Sequence, residues 1–137
     1  SSEEYKKVLK KMKASMPRAE LKKLYRIQNR ALWEVYSDQL TFFREKYRQE
    51  RPLNGIQQDL FLGTERVDPM ELVLNDHSFH PANLTPGMWG TSFHMFPNSS
   101  AAIPLSYQKE SKRVQIIMCQ VLTGEALPAD PNPKMIE

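Results

Sequence analysis

The texture of the chain changes near residue 52, and that change limits the folds open to it. Before it, apolar residues recur at helical spacing among many lysines and arginines; after it, prolines, glycines and asparagines interrupt short apolar runs. Residues 3–14 read as a short helix, with Tyr5, Val8, Leu9 and Met12 on one side and lysines on the other. Ser15-Met16-Pro17 ends it. Periodicity alone carries one helix from Arg18 to Gln49, yet Leu21, Lys23, Tyr25 and Ile27 also alternate as a strand would. Asn29 is then an N-cap dividing strand from helix. Beyond it, Leu32, Trp33, Val35, Tyr36, Leu40, Phe43 and Tyr47 form a broad stripe expected to be core. In the second half, DLFL (59–62), TSFHMF (91–96) and RVQIIMCQVL (113–122) read as strands, and PMELVLND (69–76) as a helix of one or two turns. The class is α+β, with a sheet of short strands. The proline-rich tail ALPADPNPKMIE reads as a loop, cut or unfinished.

A chain of 137 residues, 40% apolar, can bury one sizeable core, so one domain over 1–137 is expected. The single cysteine, Cys119, closes no internal disulfide, and no CxxC or Cys/His zinc spacing occurs. That pattern favours a reducing, intracellular compartment, nuclear or cytoplasmic. No apolar run approaches the roughly 20 residues of a membrane span, and SSEEYKKVLKKMK is charged where a signal peptide is apolar. The expectation is a soluble piece of something larger, with no membrane partner.

The net charge of +3 hides an asymmetry. Residues 1–51 hold fourteen Lys/Arg against seven Asp/Glu, whereas residues 52–137 hold five against nine. The plainer reading of the basic half is a solvated helix face. The sharper one is a phosphate-contacting patch, with Lys6, Lys7, Lys10 and Lys11 as candidate nucleic-acid contacts.

Five blocks point further: YKKVLKKMKAS, LKKLYRIQNRALWEVY, LFLGT, GMWGTSFHMFPNSSAA and IIMCQVLTGEA. In order and approximate spacing they resemble the catalytic domain of the poly(ADP-ribose) polymerase family over residues 5–124. RIQNRALWEVY is most similar to the mono-ADP-ribosyltransferase branch that includes the CCCH zinc-finger members. The resemblance implies an ADP-ribosyltransferase-like fold, a split mixed β-sheet flanked by helices, incomplete at its C-terminus.

The same resemblance implies a site whose polar residues have gone. Where the family reads LFHG(T/S), with a histidine on the ribose of NAD, this chain has Leu62 before Gly63. A leucine makes no such bond. Where the family reads GxGxYFA, His94 stands for the tyrosine at the nicotinamide, and Ser92 for a glycine. Counted from Gly90 without gaps, the family's nicotinamide-binding serine falls on Ala102. Its second stacking tyrosine falls on Leu105, or on Tyr107 if the loop is two residues longer. The third catalytic position, a glutamate or its replacement, lies beyond residue 137.

The resemblance therefore implies a catalytically inactive relative that binds no NAD and needs no cofactor, acting as a protein-interaction or scaffold module. Inactive relatives of this kind occur in antiviral RNA-binding proteins and in chromatin-silencing scaffolds, an association and not a mechanism. The alternatives are a divergent mono-ADP-ribosyltransferase using NAD, and nucleic-acid binding through the basic half.

Other polar residues have plain explanations. His77 and His80 in HSFH have the spacing of a metal-ligand pair, but no third ligand is evident and no metal is expected. His94 as a replacement base on a strand facing the cleft lacks an orienting neighbour. Cys119 reads as inert core. Thr64, Glu65 and Asp68 are explained by capping of the helix that follows.

Overall fold

A computed structural model describes residues 2–47, 55–74, 79, 85–87, 90–110 and 113–124. Helix α1 spans Glu3–Lys13. Ser2 caps it by accepting the Tyr5 N–H at 3.1 Å, and Glu3 and Glu4 in the first turn and Lys10, Lys11 and Lys13 in the last complement its dipole. Met12 is half-buried, and its carbonyl accepts the hydroxyl of Ser99 at 2.5 Å. The Ser15 hydroxyl lies 3.0 Å from that of Ser99 and accepts the Ser100 N–H at 3.1 Å. Three bonds thus tie the end of α1 to a segment more than eighty residues away.

Helix α2 spans Arg30–Lys46. As its spacing predicts, Asn29 is the N-cap: Oδ1 accepts the Leu32 N–H at 3.1 Å. The same side chain donates through Nδ2 to the carbonyl of Val73 at 2.9 Å. The helix is therefore not continuous with Arg18. The strand expected over 21–27 does not form either: the segment is neither helix nor strand, with Leu24, Tyr25 and Ile27 exposed. Period-two alternation makes a strand only beside another strand, and among the described residues none pairs with this one.

The stripe on α2 is also narrower than its composition implies. Leu32, Tyr36, Leu40 and Phe43 are half-buried and Tyr47 is buried, a row at intervals of three and four. Trp33 and Val35, expected in the core, are both 62% exposed, and Phe42 is 55% exposed. At about 100° per residue these side chains turn off the buried row.

Strand β1 (Gln57–Leu62) precedes α3 (Pro69–Leu74). Then come β2 (Thr85–Gly87), β3 (Gly90–Ser92) and β4 (Met95–Phe96). A single turn, α4 (Ser99–Ala102), runs into a 3-10 turn at Ile103–Leu105. Strands β5 (Tyr107–Glu110), β6 (Arg113–Gln115) and β7 (Ile117–Leu122) follow. Strand β1 is central in a β4-β1-β7 sheet, with Leu62 opposite Met95 on one side and Ile117 on the other. The β2-β3 and β5-β6 pairs form two separate ribbons.

The α+β class is observed; the mixed sheet is not. Every strand pair among the described residues is antiparallel. Two runs expected as single strands are divided between sheets: TSFHMF breaks at Phe93 and His94, and RVQIIMCQVL at Ile116. Among the described residues no helix is long and apolar enough to cross a membrane.

The core gathers at the end of β1. Phe61 is 2% and Leu62 1% exposed, and because neighbours on a strand face opposite ways, both faces of the sheet are covered there. Leu62 packs with Leu72 and Val73 of α3, with half-buried Val67, Phe79, Phe93, Met95, Ile117 and Cys119 around them. Burial of a side chain of this size is worth about 1.5–3 kcal/mol.

Candidate functional site

The chain leaves β1 through Gly63 and Thr64, both buried, and passes directly beneath the turn at 102–105. A methyl group placed on Gly63 would lie 2.3 Å from the carbonyl oxygen of Leu105 and 2.8 Å from that of Ala102. Only glycine permits this approach. The Glu65 N–H then donates to the Leu105 carbonyl at 2.8 Å, with Glu65 in the left-handed region at φ 51°.

The polar residues that follow are engaged structurally. Thr64 donates its hydroxyl to the Val67 carbonyl at 2.5 Å. Asp68 caps α3: its carboxylate accepts the Met70 N–H at 2.9 Å, and its carbonyl accepts those of Glu71 and Leu72 at 2.9 and 3.2 Å. This is the capping role expected for Asp68.

Leu62, Gly63, His94 and Leu105 line one small cavity with Thr64, Val67, Leu72 and Phe93. Its volume is about 10 Å³, the space of about one water. Four of the residues singled out from sequence thus share one place. Ala102 lies against it, fully buried, through its carbonyl at Gly63. Tyr107 opens β5 outside the cavity lining, so of the two alternatives for one position Leu105 is the residue at the cavity.

His94 is half-buried, with Nδ1 3.5 Å from the hydroxyl of Ser92. It sits at the corner between β3 and β4 and not on the single strand that its run predicts. The corner exists because the two strands belong to different sheets. Phe93 beside it meets Phe79 edge-on, with centroids 5.3 Å apart.

Leu72, Val67 and Phe93 complete this lining and carry no sequence signal beyond being apolar. Ser99 is likewise silent in the sequence, yet it is fully buried and bonds both Met12 and Ser15. His77 and His80 lie outside the described residues, among which no group of three or more His, Cys, Asp or Glu could hold a metal. Burial pushes the Cys119 thiol up to about 12. Burial, and then the charge of Asp59, raise the Tyr36 phenol, which donates to Gln57 Oε1 at 2.5 Å.

The four candidate lysines of α1 do not share one environment. Lys7 and Lys10 are exposed, and exposed Lys6 lies 3.4 Å from Glu3. Lys11 is half-buried, 3.6 Å from Asp59 of β1, where it joins helix to sheet.

No family model matches the chain. It is 29% identical over 111 residues, 80% of its length, to a probable poly(ADP-ribose) polymerase of Dictyostelium discoideum. It spans about one third of that protein's length, 33%. This similarity is to a protein of the same family as the one the five blocks resemble, and supports an ADP-ribosyltransferase-like character without fixing a branch.

Proposed function

We propose that the chain is an ADP-ribosyltransferase-like domain that has lost its NAD site and works as an interaction module within a larger protein. The observation that carries the reading is Leu62: at the position where the resemblance implies a ribose-binding histidine, a leucine is 1% exposed and packed into the core. A cavity of about 10 Å³ beside it compares with about 300–1,000 Å³ for ordinary ligand pockets. A polar interaction with a ligand is worth about 1–3 kcal/mol, so its absence at Leu62 and Ala102 together weakens NAD binding by roughly one to four orders of magnitude, and His94 in place of a tyrosine alters the nicotinamide contact as well.

The second reading, a divergent mono-ADP-ribosyltransferase, is favoured by the name of the Dictyostelium relative. Calorimetry and thermal denaturation with millimolar NAD separate the two. A ligand stabilises in proportion to its saturation, so the pseudoenzyme reading expects no heat and no shift in Tm. A shift of several degrees would overturn it. Leu62→His alone is expected to restore no activity, because it adds one polar group and disturbs a packed core.

A further inference from the structure

Two serines far apart in sequence meet where α1 ends. Ser15 stands at a half-buried bend just past Lys13, and Ser99 opens α4, fully buried. The bonds between them can be given a direction. A hydroxyl has one proton to donate, and that of Ser99 goes to the Met12 carbonyl at 2.5 Å. In the 3.0 Å contact between the two hydroxyls Ser15 is therefore the donor. Ser15 also accepts the Ser100 N–H at 3.1 Å. The result is one directed chain, from Ser100 N–H to Ser15, from Ser15 to Ser99, and from Ser99 to the last turn of α1, with every proton used once.

This chain reaches the end of β1. Helix α4 runs into the 102–105 turn, whose Ala102 and Leu105 carbonyls lie against Gly63, and the Leu105 carbonyl accepts the Glu65 N–H at 2.8 Å. Moving Ser99 away from Met12 slackens the turn that closes the cavity at Leu62. Ser15 is also set apart by its neighbours. Three of the five residues before it, Lys10, Lys11 and Lys13, are lysine, and no other serine with five residues before it has more than one there. Lys10 and Lys13 are exposed. A kinase with an acidic substrate cleft selects a serine by flanking charge of this kind.

We propose that Ser15 is a phosphoacceptor for such a kinase, and that its phosphorylation releases α1 from α4. The kinase transfers the terminal phosphoryl group of a nucleoside triphosphate: the bond from Ser15 Oγ to phosphorus forms, the bond from phosphorus to the bridging oxygen of the leaving nucleoside diphosphate breaks, and the hydroxyl proton passes to the kinase's catalytic carboxylate. The modified oxygen has no proton left for Ser99. The phosphate adds a charge of about −1.5 to −2 beside the C-terminal carbonyls of α1, where the helix dipole is already negative. Ser99, fully buried and 3.0 Å away, leaves no place for it. Lys11 is held by Asp59 at 3.6 Å, so drawing it to the phosphate would break the tie between α1 and β1 instead. The kinase meets Ser15 in the opened form, and the modification keeps that form open.

The test incubates the full chain with magnesium ATP and a serine kinase of acidic substrate cleft, maps the phosphate by mass spectrometry, and follows amide hydrogen exchange before and after. Phosphate is expected on Ser15, with exchange of the Ser100 and Glu65 amides accelerated roughly tenfold or more. The exchange is read also on chain synthesised with phosphoserine at position 15, so that it does not depend on the yield of the kinase. Lys10→Gln together with Lys13→Gln, both at exposed positions, should cut the rate of phosphorylation roughly tenfold or more while leaving exchange of the unmodified chain nearly unchanged. Ser99→Ala removes the shared hydroxyl and should speed both exchange at Ser100 and phosphorylation of Ser15. No phosphate on Ser15, an equal rate for the lysine variant, or a phosphorylated chain whose Ser100 amide exchanges at the unmodified rate overturns the proposal.

Discussion

Gly63→Ala tests whether the end of β1 is pinned beneath the 102–105 turn. The added methyl would lie 2.3 Å from the Leu105 carbonyl oxygen, 2.4 Å from its carbon and 2.8 Å from the Ala102 oxygen, all backbone atoms. Real separations of this kind stay above 3.0 Å, so one backbone must retreat by about 0.7 Å or more. Overpacking of a tight core costs about 1–3 kcal/mol. The retreat also breaks the 2.8 Å bond from Glu65 N–H to Leu105, and leaving a buried partner unsatisfied costs a further 1–3 kcal/mol or so. The sum is about 2–6 kcal/mol, which at roughly 3–5 °C per kcal/mol for a chain of this size lowers Tm by about 6–30 °C. Calorimetric melting of wild type and variant measures it directly. A shift under about 2 °C would refute the reasoning, because it would mean the two backbones separate freely and the cavity at Leu62 is not held shut.

Asn29→Ala removes both the cap of α2 and the tie to Val73 of α3, and should cost about 1–3 kcal/mol in urea denaturation. Trp33→Ala should cost less than about 1 kcal/mol in the same assay, since the ring is 62% exposed and the substitution chiefly removes its stacking on Tyr36 at 5.6 Å. The Cys119 thiol, raised by burial from the ordinary 9.0 to about 12, should resist a thiol reagent at neutral pH in the native chain and react readily in urea. Above the unfolded value the unfolded chain holds fewer protons at this group than the native one, so its contribution to stability is full below pH 9 and falls as pH rises toward 12. Melts over that window should therefore show wild type losing stability more steeply with pH than Cys119→Ala; parallel curves would contradict the burial of the thiol.

Local features of this chain are written in neighbouring residues. The cap at Asn29, the stop after Lys13, the cap and short helix beginning at Asp68, and the apolar run that becomes β1 all follow from side chains within a few positions of one another. The inability of Leu62 and Ala102 to hydrogen-bond a ribose or an amide through their side chains is equally a matter of sequence. Whatever depends on a distant partner is settled by the tertiary fold. Segment 21–27 alternates like a strand but has no strand to pair with among the described residues, and Trp33 shares a stripe with Tyr36 yet lies off the buried row. TSFHMF is one apolar run, but its two halves pair with β2 and β1, so His94 lands on a corner and beside Leu62. Gly63 needs to be glycine only because Leu105, forty-two residues on, crosses it. Propensity and periodicity act through neighbours on the same helix or strand, whereas burial, register and close approach are set by parts of the chain that local pattern cannot place.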